Sequence, residues 1–272
     1  MVIKSIPCFK LSQIADSGQC FRWKKLADER YRIIAFGKKL DVWEENEKFY
    51  FDCTKEDFDA IWYEYFDLGT DYEAVLRAID AEDRFMINAA GASNGIRILK
   101  QELWEMIISY IISQNNNIPR IKNSIEKLSE KFGEVLGEED YAFPDYEGMK
   151  KLILCEEDVS LLTDMGLGYR DKYICELILN SKDYASLIGD IRSYDYETAM
   201  NYLLTIKGIG KKVANCICLF GLYKIEACPV DTWIRRIIEE EYDGVAPGWT
   251  KSKYAGIYQQ YAFYYKRLMS GK

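Results

Sequence analysis

The sequence predicts an α+β fold in which an antiparallel β-sheet with covering helices, in residues 1–95, precedes an all-α domain in residues 96–272. Up to about Thr54, short aromatic and β-branched runs alternate with polar turns, which is typical of strands. From about Ile96 onward, apolar residues recur at helical spacing to the end of the chain. With 272 residues, 49% of them hydrophobic, the chain is long enough to bury a core in each part.

Four short strands are predicted in the first part, and their polar connections favour a meander in which they pair in chain order. They cover residues 20–24, 31–36, 40–43 and 49–53. Helical spacing follows in residues 56–66, where Phe58, Ile61, Trp62 and Tyr65 share one face, and again in residues 72–79. These two helices are expected to cover the sheet.

The second part is predicted to be helical throughout. Its first helix has a wide apolar stripe that comprises Leu103, Met106, Ile107, Tyr110 and Ile111. Further helices are predicted near residues 118–132, 173–178, 196–205, 211–222, 232–240 and 252–267. The chain has only five prolines, no low-complexity tract, no internal repeat and no long linker.

Histidine is absent from the chain, and its absence excludes whole reaction classes. A serine or cysteine nucleophile with a histidine base and a His-ligated metal are both ruled out. The eight cysteines are scattered without a CxxC pair, so we interpret them as reduced, mostly buried residues and expect neither a zinc site nor an iron–sulfur cluster. Chemistry at neutral pH must then come from a lysine, carboxylate, cysteine or tyrosine in an unusual environment.

Negative charge is concentrated in one segment of the chain. The net charge is −8, and residues 134–164 alone contain ten acidic and two basic residues, whereas residues 205–236 contain six cations and two anions. A phosphate-binding surface near residues 205–236 is therefore compatible with an acidic protein. No apolar run approaches the ~18 residues that span a bilayer. The first residues do not resemble a signal peptide, so we expect an intracellular protein without a membrane partner.

Residues 203–222 contain the most informative local pattern, two apolar helical segments joined through Gly208 and Gly210. A helix that begins at about Lys211, with glycine before it, presents backbone N–H groups that can bind a phosphate. Taken alone, such a turn is more often a simple helix–helix connection. The spacing from Leu204 to the two glycines matches the helix-hairpin-helix motif, which also occurs in non-catalytic DNA-binding modules.

Lys212 is the candidate nucleophile. It falls in the first turn of the second helix, where the helix dipole and partial burial are both expected to favour a neutral, nucleophilic amine. It shares a helix face with Cys216, whereas Lys211 points about 100° away. The alternative interpretation of Lys212 is a solvated surface lysine.

Asp231 is the candidate carboxylate. After Pro229 and Val230 it is a good N-cap for the helix that contains Trp233, which would explain the aspartate without catalysis. The two roles are compatible, because a carboxylate held rigidly at a helix start can also stabilise developing positive charge.

Five stretches together resemble one family. Lys212 directly after the glycine hairpin, with Asp231 nineteen residues later in a Pro-Val-Asp sequence, is similar to the glycosylase/lyase branch of the helix-hairpin-helix base-excision enzymes. The further stretches that match are residues 17–23, 113–120, 166–170 and 254–263. They narrow the resemblance to the 8-oxoguanine DNA glycosylases, over nearly the whole chain and in the same order.

The resemblance implies an enzyme that flips 8-oxoguanine out of duplex DNA, excises it and cleaves the strand by β-elimination. Lys212 would attack C1′ of the damaged nucleotide and form a Schiff base, and Asp231 would stabilise the oxocarbenium-like sugar. Two alternatives stay open at this point, namely a non-catalytic helix-hairpin-helix DNA-binding protein and a glycosylase for another damaged base.

Extrusion of a nucleotide leaves a gap in the duplex that protein side chains must fill. The family assigns this role to residues that match Asn115 and Tyr169, and it assigns contacts with the unpaired cytosine to arginines that match Arg120 and Arg170. Outside the motifs, these residues would be interpreted as a loop cap, a packed aromatic and two surface charges.

Recognition of the base is implied for four residues. The family uses the carbonyl at the position of Gly18 to accept a hydrogen bond from N7–H of 8-oxoguanine, which guanine does not have. Gln259 matches the amide that reads the Watson–Crick edge, and Cys216 and Phe263 would lie on the two faces of the ring. The alternatives are a turn glycine, an exposed helix glutamine and two core residues.

One position departs from the family pattern. Trp233 stands where family members commonly carry a histidine near the phosphate of the lesion. An indole donates one hydrogen bond but does not titrate, so the phosphate contact at this position is expected to differ.

The resemblance also implies partners and cofactors. The partner is double-stranded DNA that contains 8-oxoguanine, and the protein is expected to be a monomer. No cofactor is required, although the superfamily suggests a monovalent cation on the hairpin carbonyls, and the cysteines of its iron–sulfur members have no counterpart after Cys228. The expected location is the cytoplasm, with the nucleoid, in a bacterium or archaeon and the nucleus in a eukaryote.

Overall fold

The computed structural model describes residues 1–155 and 165–271, so residues 156–164 of the acidic segment lie outside the described residues. Its architecture is α+β, as the sequence predicts, with a five-stranded sheet near the N-terminus and helices after it. The strands are β1 Val2–Lys4, β2 Trp23–Ala27, β3 Arg30–Ala35, β4 Lys38–Glu45 and β5 Lys48–Phe51.

The sheet confirms the predicted meander and adds one strand to it. Its order is β1-β5-β4-β3-β2, so the four predicted strands are neighbours in chain order, and β1 pairs antiparallel with β5. Leu40, Val42, Phe49 and Phe51 are buried in β4 and β5, and Val42 lies opposite Phe51. Because strand side chains alternate with a period of two, this pattern places one face of the sheet in the core.

Helices make up most of the remaining chain. Those before residue 100 are α1 Leu11–Asp16, α2 Lys55–Asp57, a π-helix over Phe58–Trp62, α3 Tyr63–Tyr65, α4 Tyr72–Arg77 and α5 Arg84–Ser93. The later ones are α6 Leu103–Ile112, α7 Ile118–Phe132, α8 Tyr146–Cys155, α9 Arg170–Leu179, α10 Tyr184–Ile188, α11 Tyr196–Thr205, α12 Lys211–Phe220, α13 Thr232–Glu241, a 3-10 helix over Gly248–Lys251 and α14 Ala255–Met269. The run from α2 to α3 confirms the helix predicted over residues 56–66, whereas α1, α5, α8 and α10 are additions to the predicted set.

Packing divides the chain into two compact units. The first contains Met1–Arg32, Leu40–Lys100 and Tyr223–Lys272, and the second contains Ile33–Lys39 and Gln101–Leu222. This division differs from the predicted boundary after residue 95, because α14 packs against α5 and α13 packs against α14. The C-terminal helices therefore belong to the same unit as the N-terminal residues.

α6 is the central helix of the second unit. All ten of its residues are buried, and it packs against α7, α9 and α12. A helix that is buried on every side needs neighbours all round it. α12, which carries the candidate nucleophile, packs on α6 and α11 through a face that includes Val213, Ala214 and Ile217. Two neighbouring helices thus fix its orientation.

The cysteines agree with the sequence prediction. All seven whose side chains the structure describes are free thiols, and Cys20, Cys175, Cys216 and Cys218 are buried. Among the helices of the described residues, none combines the length and the hydropathy that a membrane span requires.

Candidate active site

The helix-hairpin-helix lies where the sequence predicts it. α11 ends at Thr205 and α12 begins at Lys211, and between them the N–H of Ile209 donates to the carbonyl of Ile206 at 3.0 Å. Gly208 has a φ of +88°, and a Cβ at this position would lie 2.7 Å from Cγ of Tyr173. Both the backbone conformation and the packed tyrosine ring therefore require glycine here.

The start of α12 has the features of an anion-binding site. Gly210 is its N-cap and provides no capping side chain. Lys211 and Lys212 follow directly and are both exposed. Backbone N–H groups at a helix start, the positive end of the helix dipole and basic side chains are features that favour phosphate binding, and the predicted phosphate contact of this helix end stays a prediction.

Lys212 is exposed and lies beside an aromatic ring. Its Nζ lies 5.6 Å from the ring centroid of Tyr110, a buried residue whose ring stacks on that of Phe220 at 5.7 Å. Lys212 is an exposed residue whose Nζ lies over an aromatic ring, so the expected partial burial of the amine stays a prediction. The ring contact nevertheless distinguishes Lys212 from Lys211.

The turn between α6 and α7, residues 113–117, is called the Asn turn below. Asn116 donates to the carbonyl of Ile112 at 3.1 Å, and Asn117 caps α7 by accepting from the N–H of Arg120 at 3.1 Å. Asn115 has a φ of +46° and is exposed, and its Nδ2 donates to the hydroxyl of Tyr169 at 3.2 Å. Of the three asparagines, Asn115 is therefore the one whose side chain is not used to build the turn.

Residues 166–169, called the Tyr turn, precede α9. Gly166 and Gly168 have φ values of +72° and +58°, which glycine adopts without steric cost. Tyr169 at the tip is 46% exposed, and its ring packs edge-on against Tyr173 at 5.8 Å. The exposed side chains of Asn115 and Tyr169 are thus in contact with each other, and their role in filling a gap in a duplex stays a prediction.

Arg120 and Arg170 have different environments. Arg120 is exposed in the first turn of α7. Arg170 is only 6% exposed, and its guanidinium donates to the carbonyls of Gln114, Asn115 and Leu167. In this structure Arg170 joins the Asn turn to the Tyr turn, so its predicted contact with an unpaired base stays a prediction.

In the first unit, Gly18 lies directly against Phe263. Its φ is +79°, and a Cβ there would lie 3.3 Å from Cε1 of that ring. The loop is held by the fully buried Gln19, whose amide donates to the carbonyl of Arg97 and accepts from the N–H of Leu99, at 2.9 and 2.8 Å. The backbone at Gly18 is therefore both close to the ring and rigid.

Two side chains contact the ring of Phe263, one from α13 and one from α14. The ring of Trp233 meets it edge-on at 6.5 Å between centroids, and the guanidinium of Arg267 lies 5.5 Å from its centroid. Arg267 also donates to the carbonyl of Asp16 at 2.9 Å, in the segment before Gly18. Trp233, the residue that departs from the family pattern, thus supports the predicted base platform.

Gln259 and Asp231 complete the first unit's candidates. Gln259 is 3% exposed and accepts from Gln260 at 2.9 Å, so the alternative of an exposed helix glutamine is wrong. Asp231 caps α13 by accepting from the N–H of Ile234 at 2.9 Å, as predicted. Burial, together with the Asp231 carboxylate, raises the pKa of the Cys228 thiol to about 12.

The structure distributes the predicted residues over both units. The second unit carries the hairpin, Lys212, Cys216, the Asn turn and the Tyr turn, and the first carries Gly18, Asp231, Gln259 and Phe263. The functional pairing of Lys212 with Asp231, and of Cys216 with Phe263, stays a prediction.

Several supporting residues have no role in the sequence interpretation. Gln19 and Gln114 lie inside the matched stretches, where their neighbours drew attention instead. Tyr110 and Tyr173 lie on helices, and their helical spacing indicates only core positions. Their contacts with Lys212 and Gly208 depend on how the helices pack, which sequence spacing does not contain.

Known proteins are similar to this chain over most of its length. The family described as 8-oxoguanine DNA glycosylase, N-terminal domain, matches residues 1–107. The N-glycosylase/DNA lyase of Saccharomyces cerevisiae is 31% identical in an alignment of 266 residues that covers 85% of this chain and 68% of the yeast protein. A probable N-glycosylase/DNA lyase of Methanothermobacter thermautotrophicus is 33% identical over 200 residues, and the chain spans 62% of its length.

The likeness extends to three dimensions. The 8-oxoguanine glycosylase/lyase of Clostridium acetobutylicum, solved with double-stranded DNA that contains cytosine opposite 8-oxoguanine, is 32% identical with a TM-score of 0.87. The match covers 98% of this chain and 95% of that one. On sequence, fold and the order of its motifs, the chain belongs to the family of 8-oxoguanine DNA glycosylase/lyases.

Proposed function

We propose that this protein excises 8-oxoguanine from duplex DNA, preferentially opposite cytosine, and then cleaves the strand through a Schiff base on Lys212. The observation that carries the proposal is the position of Lys212, exposed in the first turn of α12 directly after the glycine hairpin. In a chain without histidine, an amine next to a phosphate-binding helix end is the nucleophile that suits attack on a nucleotide sugar.

The chemistry proceeds in two stages. The amine of Lys212 bonds to C1′ while the glycosidic bond breaks, and the electron pair of that bond leaves with the base. One amine proton passes to the departing base, and cleavage of the C1′–O4′ bond, with protonation of O4′, opens the sugar and gives the protonated Schiff base. Removal of a C2′ proton then forms a C2′=C3′ double bond and breaks the C3′–O bond, so the 3′ phosphate leaves. The Asp231 carboxylate, held by the N–H of Ile234, stabilises the positive charge that develops on the sugar.

DNA binding completes the activation of Lys212. Lys212 is an exposed residue in this structure, so bound DNA can remove further water from its side chain. A duplex that covers the start of α12 removes water from the amine and disfavours its charged form. Nucleophilicity then develops mainly in the complex, at the place where it is needed.

The hairpin supplies the phosphate contact. The N–H groups at the start of α12 and the ammonium of Lys211 bind the backbone without regard to sequence. Neutralising phosphates releases counterions, so affinity for any duplex decreases as salt rises.

The Asn turn and the Tyr turn fill the space left by the extruded nucleotide. Asn115 and Tyr169 are exposed, mutually hydrogen-bonded and carried on turns that Arg170 joins. Arg120, with an exposed guanidinium, reads the unpaired cytosine. Arg170 can contact the unpaired cytosine as well only if its guanidinium releases one of the carbonyls that it binds in this structure.

The first unit recognises the base. The carbonyl of Gly18 accepts from N7–H of 8-oxoguanine and opposes the bare N7 of guanine. Phe263 stacks on the ring from one side, and Cys216 lies on the other. Gln259 presents an amide to the Watson–Crick edge. Because this side chain is already buried in α14, binding of the base costs no further side-chain conformational entropy.

The reaction requires no cofactor, and the active protein is a monomer in the cytoplasm or nucleus. We propose separately that a monovalent cation binds at the hairpin, where the available ligand atoms are backbone carbonyl oxygens. The carbonyl of Ile206 accepts from Ile209 and that of Gly208 from Gln114, and each oxygen retains a second lone pair for an ion.

Borohydride trapping tests the proposal. The protein is incubated with a duplex that contains 8-oxoguanine opposite cytosine, and reduction of the Schiff base should give a covalent complex. Lys212→Gln should abolish the complex. Lys211→Gln removes the same charge from the neighbouring exposed position, so it should weaken binding but still give the complex at saturating DNA.

Each other outcome identifies an alternative. Duplex binding without any covalent complex would indicate a non-catalytic DNA-binding protein. Trapping with an alkylated or other oxidised base, but not with 8-oxoguanine, would indicate a glycosylase for another lesion. Trapping that survives Lys212→Gln would exclude Lys212 as the nucleophile.

A further inference from the structure

Gln114, the residue between α6 and the exposed Asn115, contacts two other segments at once. Its side-chain Nε2 donates to the carbonyl of Gly208 at 2.8 Å, across 94 residues of sequence, and to the carbonyl of Ile111 at 3.2 Å. The side chain is half-buried. One bond is local to the end of α6, and the other reaches the phosphate-binding hairpin.

The backbone of Gln114 makes the second connection. Its carbonyl accepts from both Nε, at 2.8 Å, and Nη2 of Arg170. The same guanidinium donates to the carbonyls of Asn115 at 3.1 Å and Leu167 at 2.9 Å. Charge-assisted contacts with two nitrogens fix orientation as well as distance. Gln114 and Arg170 together therefore link the hairpin, the Asn turn and the Tyr turn.

Strain in the backbone makes these contacts consequential. Asn115 has a φ of +46°, a conformation that persists in a non-glycine residue only when its surroundings determine it. Gly208, at +88°, has no such strain because it is glycine, but the ring of Tyr173 packs against it. Gln114 thus links two turns whose conformations are each held in place by neighbours.

We infer that Gln114 is a positioning residue that couples phosphate binding at the hairpin to insertion of Asn115 into the duplex. A phosphate bound at the start of α12 fixes the hairpin, and the bond to the Gly208 carbonyl passes this constraint to the Asn turn. The inference rests on the proposed function, since it assigns Asn115 to the gap left by the flipped nucleotide.

A purely local role does not account for the geometry. α7 has its own cap in Asn117, and the last turn of α6 is closed by the bond from the N–H of Ser113 to the carbonyl of Ser109. The bond to Ile111 would satisfy the amide locally without any approach to Gly208. A local role therefore does not explain why the side chain of Gln114 contacts the hairpin.

The test is a double-mutant cycle on the full chain with three measurements. Fluorescence of 2-aminopurine next to the orphan cytosine reports insertion, single-turnover excision of 8-oxoguanine reports the reaction, and affinity for an undamaged duplex reports phosphate contact alone. Lys211→Gln weakens the phosphate contact and Asn115→Ala removes the inserted side chain. In the protein that retains Gln114, each single variant lowers the excision rate and the fluorescence change by a measurable factor. The factor for the double variant should be smaller than the product of the two single factors by about threefold or more.

Gln114→Met keeps the size of the side chain and removes its donor. It should lower the excision rate and the fluorescence change by about three- to tenfold, the effect of one net hydrogen bond, with little change in affinity for undamaged DNA. In this background the losses from Lys211→Gln and Asn115→Ala should simply multiply. Gln114→Asn, which keeps an amide but is one methylene too short for Gly208, should behave in the same way.

Gln13 provides a matched control in the first unit. It is also half-buried, and its amide joins distant residues by donating to Ala92 at 3.0 Å and accepting from Gly95 at 2.8 Å. Gln13→Met should lower the melting temperature but leave the non-additivity in place. This control separates loss of stability from loss of coupling.

Two results would overturn the inference. One is non-additivity that survives both Gln114 variants, and the other is a parallel loss of affinity for undamaged DNA, which would confine Gln114 to the hairpin. If the wild type excises no 8-oxoguanine, the proposed function fails instead, and the fluorescence and affinity cycle still decides whether Gln114 couples the two turns.

Discussion

Gly208→Ala is expected to destabilise the second unit through two separate effects. The added Cβ would lie 2.7, 2.9 and 3.0 Å from Cγ, Cδ2 and Cβ of Tyr173, distances at which atoms must move. The residue would also keep a φ of +88°, in the left-handed region that alanine avoids. Neither effect can relax alone, because both the hairpin and α9 are packed.

The magnitude follows from these terms. Left-handed backbone costs alanine roughly 1–2 kcal/mol. Overpacking against a ring costs about 1–3 kcal/mol. The smaller entropy of the unfolded alanine chain returns about 0.4–1 kcal/mol. The net loss is therefore about 1–4 kcal/mol, and each kcal/mol lowers the melting temperature of a chain of this size by about 2–4 °C.

Gly210→Ala is the matched control. Gly210 has a φ of −90°, and nothing lies within 4 Å of a Cβ placed there, so its stability should change by less than about 0.5 kcal/mol. Both variants place a methyl group near the phosphate-binding helix end and should weaken DNA binding. Calorimetry then separates them, since only Gly208→Ala should shift the melting transition.

Tyr173 provides the decisive comparison. If the clash with its ring is the main term, Tyr173→Ala should remove much of the added cost, so the double variant should be more stable than the two single losses predict. Equal melting temperatures for Gly208→Ala and Gly210→Ala would refute the reasoning. Full additivity with Tyr173→Ala would refute the packing term alone.

Three further predictions concern other parts of the site. Asp231→Ala should destabilise α13 by about 0.5–2 kcal/mol in urea denaturation, whereas Asp231→Ser should keep the cap, and both should lose single-turnover excision if the carboxylate is catalytic. Because burial and Asp231 raise the pKa of Cys228 to about 12, its thiol is more protonated at pH 8 than an ordinary thiol. Its thiolate fraction is then about a thousandfold lower, so mass spectrometry should show slow alkylation that Asp231→Asn accelerates. Arg120→Ala should relax the preference for cytosine in the excision assay. Arg170→Lys cannot make the two-nitrogen contact, so it should slow excision opposite every base alike. If both variants changed the preference for cytosine to the same extent, this division of roles would be contradicted.

Local patterns predicted most of the sheet but not its edge. The strands from β2 to β5 follow from alternation and from polar turns, both of which are readable within a few residues. β1 has only three residues, and it exists because Val2 pairs with Phe51. A short edge strand of this kind depends on a distant partner, so its own sequence carries little signal.

The division into two units could not be predicted from the sequence for the same reason. Composition and periodicity change near residue 96, which suggested a boundary there. The packing of α14 on α5 returns the C-terminal helices to the first unit. Such a return depends on which apolar faces meet, and a helical pattern shows only that an apolar face exists.

The candidate site shows the same contrast between local and tertiary information. The N-cap role of Asp231 was predictable, because a cap is set by residues within one helical turn. The exposure of Lys212 and the burial of Gln259 were not, since both depend on what packs over a helix end or beside it. The buried Arg170 and the exposed Arg120 are equally plausible DNA contacts in the sequence, and only the carbonyls around Arg170 distinguish them.

The absence of histidine has a consequence for how the site can be studied. Histidine is the side chain that ordinarily changes charge between pH 5 and 8, and this chain contains none, with Trp233 at the position where the family resemblance implies one. The other proposed contacts use backbone N–H groups, carbonyls, amides and aromatic rings, none of which titrates in that range. A change in the excision rate across this range would therefore have a source other than a histidine at the phosphate.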